Sequence, residues 1–81
     1  MSVHVMFPRY DGMYRVSWEL ADFLSDAMQD FTIRYGCIQS SPYVLRRLRR
    51  AAAAGNQDAE LARRMLEELE KDGAVEVFVS A

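Results

Sequence analysis

Eighty-one residues, 51% of them hydrophobic and 11% aromatic, provide one small domain with a core and exclude a disordered chain. The formal net charge of -2 argues against a general polyanion binder, and the single cysteine, Cys37, excludes an intrachain disulfide. No stretch approaches the roughly 18 apolar residues of a membrane span. Met1 to Phe7 is interrupted too soon by Pro8, Arg9 and Asp11 to read as a signal peptide. The expectation is a cytoplasmic protein in a reducing compartment. A core this small buries about 60–65% of the unfolded surface, so the apolar surplus favours a dimer or a protein partner.

Ser2 to Phe7 alternates, with Val3, Val5 and Phe7 on one face and His4 and Met6 on the other, which predicts a strand. Pro8 ends it, and Tyr10-Asp11-Gly12 carries turn chemistry. Met13 to Val16 reads either as a strand returning in a hairpin or as a plain loop. Ser17 is a good N-cap, and Glu19 suits the first turn of a helix. Leu20, Phe23, Leu24, Ala27, Met28, Phe31 and Tyr35 then recur at spacings of three and four, predicting a long first helix closed by Gly36 at C′.

Cys37 to Ser41 reads as a linker. Ser41 followed by Pro42 is an N-cap with proline at N1. The second helix should run to about Ala54, with Val44, Leu45, Leu48, Ala51 and Ala52 inward and Gly55 closing it. Asn56 can cap a third helix over about 57–71, with Leu61, Ala62, Met65, Leu66 and Leu69 inward and Gly73 at its end. Ala74 to Ser80 alternates as a final strand. The predicted fold is α+β, one domain over residues 1–81. Its terminal strands pair in a small two- or three-stranded sheet packed against three helices.

Charge is segregated along this framework. Residues 16–33 hold four acids and no base, and residues 34–57 hold five arginines and no acid. Glu19, Asp22, Asp26 and Asp30 are spaced three, four and four, so they line one edge of the first helix. Aspartate is a poor interior helix residue, and like charges four apart repel by about 0.2–0.5 kcal/mol. The stripe is either a solvated face or a surface for a basic partner.

Arg46, Arg47, Arg49 and Arg50 form a second constellation. They read as solvated arginines, as partners of Glu60, Glu67, Glu68 and Glu70 on the third helix, as a contact for another protein, or as phosphate contacts. Residues 41–72 have the shape of a helix-turn-helix, but the would-be reading helix carries more acid than base, which phosphates repel. Tyr10, Tyr14, Trp18, Tyr35 and Tyr43 cluster at element ends, where aromatics with a polar handle serve interfaces or close off a core.

No catalytic motif is present. His4 stands alone, nothing in the spacing pairs it with Cys37, and the four glycines stand singly with no phosphate loop. No carboxylate spacing predicts a metal site, and no cofactor is expected.

The functional expectation is therefore a non-catalytic protein-interaction module, an inhibitor or adaptor. It would bind a basic surface of a macromolecular partner through Glu19, Asp22, Asp26, Asp30, Tyr10, Tyr14 and Trp18. The alternative is a nucleic-acid-associated protein using Arg46, Arg47, Arg49 and Arg50. Homodimerisation is compatible with both, since a basic segment of one copy can meet an acidic segment of another.

Overall fold

The computed structural model describes residues 3–7, 12–28 and 35–80. Among them the chain forms β1 (Val3–Met6), β2 (Met13–Val16), α1 (Trp18–Ala27), β3 (Tyr35–Gln39), α2 (Pro42–Ala53), α3 (Asp58–Asp72) and β4 (Ala74–Ser80). The fold is α+β, with one antiparallel sheet in the order β2-β1-β4-β3. The terminal strands do pair, Val5 opposite Val79. The sheet nevertheless has four strands rather than two or three, because each central strand recruits a further neighbour.

Met13 to Val16 is the returning strand of a hairpin, paired from Met6↔Met13 to Val3↔Val16. The second recruit is β3, whose residues were read as helix end and linker. It pairs with β4 from Tyr35↔Phe78 to Gln39↔Ala74. Correspondingly, α1 is shorter than its apolar spacing predicts. Met28 leaves the helix in an extended conformation at ψ 131°, although its N–H still donates to the Leu24 carbonyl. Phe31 lies outside the described residues. Gly36 is therefore a strand residue and not a helix cap. Its lack of a side chain serves packing, since a Cβ there would meet Met28 Cβ and Sδ at 3.1 Å.

The other helix boundaries follow their local chemistry. The Ser17 and Ser41 hydroxyls accept from the N–H groups of Leu20 and Val44, each at 3.2 Å, and Pro42 follows Ser41 at N1. Asn56 Oδ1 accepts from the Asp58 N–H at 2.9 Å, ahead of α3. Gly73 ends α3 in the left-handed region at φ 75°, which glycine adopts without a Cβ penalty.

One face of the sheet is covered. Val3, Val5, Phe7, Val16, Ile38, Val75, Val77 and Val79 join Leu20, Leu24, Leu48, Leu61 and Met65 in a single apolar core. The sheet rests on α1 and α3, while α2 packs chiefly against α3. The other face carries the alternate strand residues His4, Met6, Glu76 and Phe78, all partly exposed. Phe78 is thus not a core residue, although its type favours one.

Asp58 and Glu68 are the charged residues among the buried side chains. At 6% exposure the Asp58 carboxylate is withdrawn from water, yet both oxygens are satisfied by one residue. Ser17 N–H donates to Oδ1 at 2.7 Å and Ser17 Oγ donates to Oδ2 at 2.6 Å. The residue that caps α1 is therefore itself held by the first residue of α3.

Deleting this carboxylate orphans two donors, so Asp58→Ala should destabilise by about 3 kcal/mol and Ser17→Ala by about 2 kcal/mol. The double variant should fall short of the sum by about 1 kcal/mol in a urea-denaturation cycle. Full additivity would mean that the two residues act independently. Gly36→Ala should lower stability by about 1–2 kcal/mol through overpacking against Met28, read in the same urea titration.

Candidate functional site

The helical period places Tyr43, Arg46, Arg47 and Arg50 at i, i+3, i+4 and i+7, on one stripe of α2. Arg49 falls off that stripe. The stripe faces α1 across a gap, because the two helix backbones approach each other less closely than α2 approaches α3. Rings span part of the gap. Phe23 of α1 and Tyr43 of α2 lie 5.6 Å apart between centroids with planes tilted at 57°. The Arg47 guanidinium sits over the Phe23 ring, 5.5 Å from its centroid, within cation–π range.

What remains open is a cleft of about 470 Å³ lined by Phe23, Asp26, Tyr43, Arg46, Arg47 and Arg50. A smaller hollow of about 230 Å³ shares Arg47 and Arg50 and reaches Glu19, Asn56 and Asp58. Three guanidinium groups thus meet one carboxylate across the larger cleft. None of Arg46, Arg47, Arg49 and Arg50 forms an ion pair among the described residues. The reading that paired them with the third helix is corrected here. Glu68 is buried and engages Arg64 of its own helix at 3.8 Å, while Glu60, Glu67 and Glu70 are exposed. The reason is the direction of the α2 stripe, which looks toward α1.

The acidic edge is present on α1. Trp18, Glu19, Asp22 and Asp26 are all exposed, and Trp18 keeps 50% of its surface. No cation pairs with these carboxylates among the described residues. Glu19 and Asp26 turn toward the arginine stripe, whereas Trp18 and Asp22 lie outside the cleft. Tyr14 does not join this surface. It is partly buried, packs against the core and meets Phe7 edge-on at 5.6 Å, so its ring is a structural element of β2. Tyr10 and Asp30 lie outside the described residues.

A His4–Cys37 pair is ruled out by register. His4 stands opposite Ser80 and Cys37 opposite Glu76, about 13 Å apart along β4 before the two strand spacings are added. Cys37 is a free, exposed thiol. Among the described residues no group of three or more His, Cys, Asp or Glu side chains could hold a metal ion. No helix among them is long and apolar enough to cross a membrane.

Two residues of the cleft escaped the reading of the sequence as site residues. Phe23 was assigned to the core, where it does belong at 8% exposure, but one side of its ring also floors the cleft. Tyr43 was grouped with other terminal aromatics, although its spacing to Arg46, Arg47 and Arg50 carried the signal. Searches against protein-family models, curated proteins and solved structures return no match to this chain.

The two rings differ in their structural weight. Phe23→Ala should destabilise by about 3 kcal/mol, as a buried aromatic truncation does. Tyr43 is 65% exposed, so Tyr43→Ala should lose less than about 1 kcal/mol. Thermal denaturation of both variants checks the contrast, and equal losses would assign Tyr43 to the core.

Proposed function

We propose that this chain is a non-catalytic protein-interaction module. Its exposed α1 edge, made of Trp18, Glu19, Asp22 and Asp26, docks on a basic surface of a macromolecular partner, in the manner of a small inhibitor or adaptor. One observation carries the reading: a half-exposed tryptophan shares this face with three exposed carboxylates that have no cation partner among the described residues. Tryptophan supplies a large apolar contact with one polar handle, and it is over-represented among residues that dominate binding energy.

The local energetics favour the same reading. Asp22 and Asp26 are four apart and repel. Asp26 stands in the last turn of α1, which contains no basic residue, so it faces the negative end of the helix dipole. These terms oppose helix formation, and neither carboxylate closes an ion pair among the described residues. A partner bearing lysines or arginines would turn both into attractions and would be steered toward the face by its field.

The test is capture from nuclease-treated lysate of the source cells, followed by affinity measurement on the captured protein. Asp22→Asn, Asp26→Asn and Asp30→Asn combined should remove capture while the urea midpoint stays level or rises. Trp18→Ala should weaken the isolated complex about 30-fold, which is about 2 kcal/mol. Undiminished capture by the triple variant would sink the proposal.

A further inference from the structure

We infer that the cleft between α1 and α2 is a binding site for a nucleotide unit, meaning a heteroaromatic base carrying a phosphate. This site shares Asp26 with the α1 docking face, while Trp18, Glu19 and Asp22 lie outside it and Tyr43 and the arginines lie outside the face.

Three observations converge on that chemistry. The volume of about 470 Å³ falls within the range of small-molecule sites. Three guanidinium groups line it without carboxylate partners among the described residues, so their donors are available to an anion. Guanidinium presents a planar fork that matches phosphate oxygens bidentately. Arg47 is held over Phe23 at 5.5 Å, which limits the rotamer freedom lost when an anion arrives.

Tyr43 separates a nucleotide from a bare anion. Its ring is 65% exposed and stands at the rim of the cleft beside these arginines. An inorganic ion makes no use of such a ring, whereas a base stacks on it, and base–aromatic stacking tolerates any base. Asp26 adds polarity to the site. It disfavours phosphate at the α1 wall and offers an acceptor there to an exocyclic amine or a sugar hydroxyl. The phosphate then lies toward α2 and the nucleoside toward Asp26 and Tyr43. The same unit can arrive as a free mononucleotide or within a single strand.

Isothermal titration at low salt with AMP, GMP, UMP and a five-nucleotide single strand tests the site. Four variants accompany it: Tyr43→Ala, Arg46→Gln, Arg50→Gln and Arg49→Gln. All four side chains are exposed, so the variants retain the fold, which circular dichroism and urea midpoints verify.

Arg46→Gln and Arg50→Gln should each weaken binding at least about tenfold, and Tyr43→Ala about tenfold. Arg49→Gln should change it less than about twofold, since Arg49 lies outside the cleft. Saturable mononucleotide binding with this pattern supports the site and identifies the free ligand as its source. Binding of the strand alone with the same pattern supports it and identifies nucleic acid as the source. Absence of binding by every probe overturns the inference. An Arg49→Gln loss equal to that of Arg46→Gln also overturns it, because the affinity is then diffuse charge attraction. Binding of a glutamate-rich peptide in place of both nucleotide probes overturns it as well.

Discussion

The Asp58 carboxylate gripping Ser17 organises the helical layer. These residues are 41 apart in sequence, and each stands at the start of a helix. A buried carboxylate is tolerated only when donors replace its water, and here the backbone N–H and hydroxyl of a single serine supply them. Ser17 Oγ also accepts from Leu20, so one hydroxyl is both donor to α3 and cap of α1. With α1 resting on β1, β3 and β4 and α3 resting on β4 and β2, this junction sets where the two meet. Because α2 rides on α3, the distance between α2 and α1 is set through the same contact. The cleft is thus held both by this junction and by the Phe23–Tyr43 and Phe23–Arg47 contacts across it.

That arrangement gives the charge segregation a spatial meaning. Acids on α1 and arginines on α2 face each other but stay too far apart to pair. Ion pairs closed at the surface contribute about 0–1 kcal/mol each. The fold therefore forgoes little by holding the helices apart, and both sets of charges keep their fields. Burying apolar surface between α2 and α3, and between helices and sheet, carries the stability instead.

Local signals in the sequence specify local structure well. Ser17, Ser41 with Pro42, and Gly73 mark helix ends where the corresponding caps are found, whereas α3 begins at an N-cap Gln57 without a side-chain bond, one residue beyond Asn56. Val3, Val5, Val75, Val77 and Val79 alternate as inward strand residues do. β3 was illegible for a physical reason. Of its inward positions Gly36 has no side chain, leaving Ile38 as one apolar mark, too little for a period of two. Phe31 and Tyr35, four apart, continued the helical spacing from Ala27 and masked the boundary. The Tyr43–Arg50 stripe was legible, but its opposite wall was not, since nothing local to α2 says that Phe23 and Asp26 lie across from it. The Asp58–Ser17 contact was illegible on the same ground.

The sheet order β2-β1-β4-β3 has a consequence for how the molecule is made. β4, the last of the described elements, is a central strand, and both β1 and β3 depend on it for half or all of their pairing. On the ribosome the β1–β2 hairpin and the three helices emerge first, with no completed surface to pack on. Closure of the core must wait until residue 80 has cleared the exit tunnel. Until then β1 and β3 present unpaired backbone edges of the kind that chaperones shield. Closure of the sheet thus joins β1 to β4 across most of the described sequence.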